Sequence, residues 1–129
     1  MATWESLCRY IKSRYKVADY DLNQLRLIFD LGNGRSQNVI VGKQMLGDDE
    51  WAEIWTPICN EGEISAREAL LRNRQMVVGA LALVKDGPVI FRHSLPLRDL
   101  DIAEFEVPFH MIINFGDKLE QDFTEVDKY

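Results

Sequence analysis

VVGALALVKDGPVIFRHSLPL, residues 77–97, decides how the fold is read. Two apolar runs flank Lys85-Asp86-Gly87-Pro88. That tetrapeptide is turn chemistry: Asp-Gly supplies a tight reversal, and Pro88 stops the first run from continuing. The first run, residues 78–84, is apolar on both sides. The second alternates, with Val89, Phe91, His93 and Leu95 on one face and Ile90, Arg92 and Ser94 on the other. The expectation is a β-hairpin at the centre of a sheet.

Upstream of the hairpin, Ser65-Ala66-Arg67-Glu68 has the form of a capping box and opens a helix to about Gln75. Its inward stripe is read as Ala66, Ala69 and Leu70, with Val77 as a candidate fourth member. Residues 51–59 alternate, setting Ala52, Ile54, Thr56 and Ile58 against Trp51, Glu53, Trp55 and Pro57. Pro57 cannot donate to a ladder, so it marks an edge or a bulge. Gly47-Asp48-Asp49-Glu50 is a charged turn, and before it lie two more alternating runs, 25–31 and 36–43. Asn33-Gly34 between them is a strong hairpin signal. Residues 16–23 are polar and read as a loop. Trp4, Leu7, Cys8, Ile11 and Tyr15 fall on one face of a first helix, with Thr3 as its N-cap.

Downstream, Asp101-Ile102-Ala103-Glu104 repeats the capping arrangement. Ile102, Phe105, Phe109, Ile112, Gly116, Leu119 and Phe123 then step by three and four, the period of a long amphipathic helix. Pro108 interrupts it, predicting a kink or two helical pieces. Gly116 on the buried stripe suggests a close approach to the sheet. The acidic tail from Glu120 is read as solvated. The expected order is α-β-β-β-α-β-β-α: an α+β fold with a five-stranded antiparallel sheet and three helices, in a single domain over residues 1–129.

The chain has 129 residues and a net charge of -6. The acidic balance, without a run of Lys and Arg, argues against nucleic acid and anionic membrane surfaces as partners. Charges interrupt the N-terminal residues where a signal peptide needs an apolar core, and no apolar stretch reaches about 18 residues. The cytosol is the expected location. Two cysteines, Cys8 and Cys59, are too few for a disulfide scaffold.

Chemistry-bearing motifs are sparse. Gly32-x-Gly34 lacks the third glycine of a dinucleotide fingerprint, since Gln37 stands there, and a strand follows where a helix is needed. His93 and His110 lie on different elements without a ligand partner at metal spacing. Asp48-Asp49-Glu50 and Glu61/Glu63 lack the regular oxygen spacing of a calcium loop. Cys8 sits on an apolar stripe, which disfavours a nucleophile. No catalytic, cofactor or metal residue is assigned. The informative signal is sidedness. If Leu25, Leu27, Phe29, Val39, Val41, Ile54 and Ile58 face the core, the other sheet face holds Ile28, Ile40, Trp51 and Trp55. A solvated face is ordinarily polar. These four are therefore candidate protein-contact residues; the alternative is that a helix of the same chain covers them.

The element order and acidic character resemble type III secretion chaperones that bind individual effectors. Arg35-Ser36-Gln37, Gly79-Ala80-Leu81, Arg92-His93-Ser94-Leu95-Pro96-Leu97 and Gly116-Asp117-Lys118-Leu119-Glu120 look like segments of the YbjN-type family, whose members are called sensory transduction regulators. The resemblance spans most of the chain from about Leu25. It implies a small, often dimeric, non-enzymatic protein that acts through protein–protein contacts, with itself and an unidentified protein client as partners. No active site transfers with it. A small-molecule-binding or enzymatic α+β domain is the alternative reading.

Overall fold

The computed structural model describes residues 2–32 and 34–124. Helix α1 (Trp4–Arg14) leads into strands β1 (Val17–Tyr20), β2 (Gln24–Gly32), β3 (Arg35–Leu46) and β4 (Asp49–Cys59). A single 3-10 turn (Glu61–Glu63) precedes α2 (Ala66–Arg74). Then come β5 (Ala80–Leu83), β6 (Val89–Pro96) and α3 (Ile102–Thr124). The strands form one six-stranded sheet in the order β1-β2-β3-β4-β6-β5. Every neighbouring pair is antiparallel.

Six strands correct the expected five. The extra one is β1, inside the stretch read as a loop. Its residues are polar because an edge strand needs partners for its backbone more than apolar faces. Asp19 on β1 accepts two hydrogen bonds from Arg26 on β2, at 2.6 and 3.0 Å. The Lys12 ammonium lies 3.6 Å from the centroid of the Tyr20 ring. At the β1–β2 turn, Asp21 Oδ1 accepts from the backbone N–H groups of Asn23 and Gln24.

The 77–97 stretch does form a hairpin, but not at the sheet centre. β6 lies inside against β4, and β5 is the far edge. The run 78–84 is apolar because α2 lies along that edge. The Asn73 side chain bonds both backbone groups of Leu81, donating to its carbonyl at 3.2 Å and accepting from its N–H at 2.7 Å. One amide thus satisfies an edge residue that a further strand would otherwise pair. Pro57 occupies a register shift between β4 and β6. β4 is an interior strand, so Pro57 marks a bulge and not an edge.

One hydrophobic cluster joins the helices to one sheet face. It includes Leu25, Leu27, Val39, Val41, Ile54, Phe91 and Leu95 from the sheet. Trp4, Leu7 and Ile11 of α1 enter it, as do Phe105, Phe109, Ile112 and Leu119 of α3. The period-3.6 stripe of the last helix is therefore the buried one. α3 runs unbroken through Pro108, which is itself buried. The split-helix alternative is thereby corrected: stacking of Phe105 on Phe109, 4.9 Å between centroids, spans the position where one backbone hydrogen bond is lost. The helix also continues past Glu120 to Thr124, with Glu120 half-buried, which corrects the reading of a solvated tail from that residue; the rest of the expected tail, residues 125–129, lies outside the described residues.

The caps follow the sequence. Thr3 and Ser6 form a reciprocal capping box at α1. Ser65 Oγ accepts from the Glu68 N–H at 3.0 Å. Asp101 N–H donates to Glu104 Oε1 at 3.0 Å.

Candidate protein-contact surface

Strand alternation places Ile28, Ile40, Trp51 and Trp55 together on the sheet face opposite the core. The ladder pairs Ile40 with Trp55 between β3 and β4, and Gln44 with Trp51. Ile28 lies on β2, where it pairs with Asn38. None of the four belongs to the core cluster, and the buried residues of α1 and α3 all face the other side of the sheet. α2 sits beside the β5 edge, and Ala69 packs on the core cluster. Both tryptophans are half-buried, Ile40 is 7% exposed and Ile28 is 49% exposed.

Sequence reasoning missed part of this face. Ile90 pairs with Pro57 and with Ala82, extending the apolar strip across β6 to β5, and it is buried outside the core cluster. Its alternation with Arg92 and Ser94 was the available signal. A polar line crosses the face between the two tryptophans. Arg92 donates to Glu53 and to Ser94, and Ser94 Oγ donates to Gln44 Oε1 at 2.7 Å. Arg26 is likewise paired with Asp19. Both arginines of this face are thus paired within it, while Asp30, exposed on the same side of β2, accepts only from the Gly32 N–H. Chemically it can offer broad aromatic area and hydrogen bonds.

The histidines and cysteines have structural partners. His93 is half-buried and its Nδ1 accepts from the Gly79 N–H at 3.1 Å. Burial and the neighbouring Arg92 charge hold its imidazole below the ordinary histidine range. His110 joins Tyr10, Tyr15 and Arg14 around Glu106 on α3, a clasp between α1 and α3. Burial raises the Glu106 carboxyl, but the Tyr10, Tyr15 and His110 donors outweigh it and hold it below its ordinary value. Tyr15 is pushed up to about 12 by burial and the Glu106 carboxylate. Cys8 is half-buried and its thiol is raised by burial. Cys59 is buried, and burial with Glu63 and Glu120 nearby pushes its thiol up to about 11. Neither thiol is a thiolate near neutrality.

A cavity of about 780 Å³ opens at the end of the sheet among Arg35, Ile58, Cys59, Asn60 and Glu120. Arg35 is paired with Asp117 there, and burial raises the Glu120 carboxyl. Burial thus holds the Cys59 thiol in its protonated, unreactive direction. Among the described residues, no group of three His, Cys, Asp or Glu side chains could hold a metal ion, and no helix is long and apolar enough to cross a membrane. Glu50, read from sequence as part of a charged turn, accepts from the Trp4 N–H at 3.0 Å and anchors the start of α1.

The motif segments quoted above meet in space. Gln37 bonds Thr56 beneath Gly116, and Arg35 bonds the adjacent Asp117. Gly79 meets both His93 and Phe91. These motifs hold α3 and β5 onto the sheet.

The backbone follows a chaperone-complex chain. A chain in the solved structure of the HopA1–SchA chaperone–effector complex matches with a TM-score of 0.64 over 89% of this chain and 88% of that one. At 13% identity the likeness is one of fold. It supports the chaperone-like α+β fold that the sequence resemblance implied. No family model and no curated protein sequence matches the chain.

Proposed function

We propose that residues 1–129 form one chaperone-like module that binds other polypeptides through its helix-free sheet face, and that the first polypeptide bound there is a second copy of itself. The observation that carries this is the placement of Trp51 and Trp55. Both lie outside the core cluster, on the face opposite the one where the described helices bury their residues. Ile28, Ile40 and the missed Ile90 extend the apolar area around them. Aromatic anchors in such a setting contribute disproportionately to binding, often about 2 kcal/mol or more each. The chaperone-like fold agrees with a protein client rather than a metabolite. Membership of the YbjN-type family and a cytosolic setting belong to the same reading, as does a role without catalysis.

The test is one variant, Trp51→Ser with Trp55→Ser, followed by circular dichroism and sedimentation. The expected result is a folded chain with weakened self-association relative to the wild type. A wild-type protein that sediments at micromolar concentration only near 14.9 kDa removes the homodimer. An unfolded double variant removes the contact-surface reading, because core aromatics cost about 3–5 kcal/mol each when truncated.

A further inference from the structure

A trough crosses the sheet between the two tryptophans. On the face that carries them, the ladder aligns Gln24, Gly42, Glu53 and Ser94 across β2, β3, β4 and β6. Trp55 stands on one side of this row, beside Ile40, and Trp51 on the other, beside Gln44. By strand rise, about 13 Å separates their Cα atoms. Gly42 makes the depression. Its φ is not positive, so the backbone does not demand glycine. A Cβ there would meet nothing nearer than the Asn23 carbonyl oxygen at 3.9 Å, so packing does not demand it either. Glycine inside a strand weakens it, and it marks a place where another backbone approaches closely.

The walls of the trough carry unused donors. Trp4 shows the ordinary arrangement, its Nε1–H donating to the Leu22 carbonyl at 2.9 Å. Among the described residues, neither Trp51 nor Trp55 has a side-chain hydrogen bond, although both rings are half-buried. The floor is already ordered: Arg92 holds Glu53 and Ser94, and Ser94 donates to Gln44.

This chemistry selects among polypeptide conformations. β3 and β4 are paired along both edges, so a strand laid over them finds no open ladder. A helix spends its carbonyls on its own N–H groups and has none for the indoles along its length. A polyproline II segment leaves its carbonyls free, and its rigid apolar rings stack on aromatic side chains at little entropic cost.

We propose that the trough over Gly42 docks a proline-rich segment of another protein in the polyproline II form. Its rings lie against Trp51 and Trp55, and its carbonyls accept from the two Nε1–H groups. This names the class of client for the tryptophan face and rests on that face being a contact surface. A second copy and the segment compete for it.

The experiment titrates decaproline into the full chain and follows the indole N–H resonances by NMR. Those of Trp51 and Trp55 should move, and that of Trp4 should not. A Gly-Ser peptide of equal length should leave all of them in place. Gly42→Val should weaken decaproline binding about tenfold, because its methyls fill the trough. Valine favours a strand, so circular dichroism should report an unchanged fold. The proposal fails if decaproline leaves both resonances in place, if the Gly-Ser peptide moves them equally, or if Gly42→Val binds decaproline as the wild type does. In each of those cases a folded Trp51→Ser, Trp55→Ser variant that self-associates less keeps the contact surface and removes only the proline-rich client. A wild type that binds decaproline as expected but sediments only as a monomer supports the trough and removes only the homodimer.

Discussion

Gly116 shows how much one missing Cβ can set. A Cβ built there would lie 2.7 Å from Thr56 Cγ2 and 3.3 Å from Gln37 Nε2. Thr56 cannot swing aside freely, because its hydroxyl is bonded to the Asn38 carbonyl on the neighbouring strand. Gly116→Ala gains about 1 kcal/mol of helix propensity but overpacks the α3–sheet contact by about 1–3 kcal/mol. The expected outcome is a net loss of stability in urea denaturation, and an equal or higher midpoint would contradict the close approach. His93 gives a pH prediction. Its folded pKa lies below the unfolded value, so the unfolded state binds the proton more readily. Stability should therefore fall as pH drops through the ordinary histidine value and level off below the folded one. His93→Asn keeps an acceptor for the Gly79 N–H and removes the titration. Comparing its denaturation with the wild type at pH 8 and pH 5 should show a smaller acid loss in the variant.

At the scale of elements, α3 and β1 were legible to different degrees. The stripe from Ile102 through Phe123 was readable because seven positions at steps of three and four outvote one proline. Pro108→Ala now has a definite sign. The helix is continuous, so the substitution restores a backbone hydrogen bond where Pro costs about 3 kcal/mol, against a loss of about 1–2 kcal/mol of ring burial. A thermal melt should show a gain near 1 kcal/mol, and a lower Tm would show that the ring's packing outweighs the bond. β1 was not legible. Its residues carry no period-2 apolar pattern, and its existence depends on pairing with β2 through a register that shifts between Val17 and Asp19. The hairpin of 77–97 was legible as a hairpin but not in its position, because an apolar run at an edge under a helix looks the same as one at a sheet centre.

For the whole molecule, net charge bears on the proposed self-association. A -6 chain that self-associates through the proposed tryptophan face, whose two arginines are paired within it, works against repulsion between copies. Added salt screens that repulsion, since the Debye length falls from about 10 Å at 0.1 M to about 3 Å at 1 M. Sedimentation should show the proposed homodimer unchanged or tightened as sodium chloride rises. Loss of the dimer in salt would mean that its interface is held by charge and is not the tryptophan face.

By itself, the sequence determined which residues share a face. Period 2 on β2, β3, β4 and β6 put Ile28, Ile40, Trp51 and Trp55 opposite Ile54, and period 3.6 on α3 marked Phe105, Phe109 and Ile112 for burial. Side-chain direction in a strand or helix is a local property of the backbone, so it can be read without knowing the neighbours. Only the tertiary structure decided which face the helices cover, that β5 is an edge, that β1 is a strand, and that Leu70, 69% exposed, points outward. Each of those depends on what lies across the sheet or beside the helix, and a partner distant in the chain leaves no periodic trace in the segment it touches.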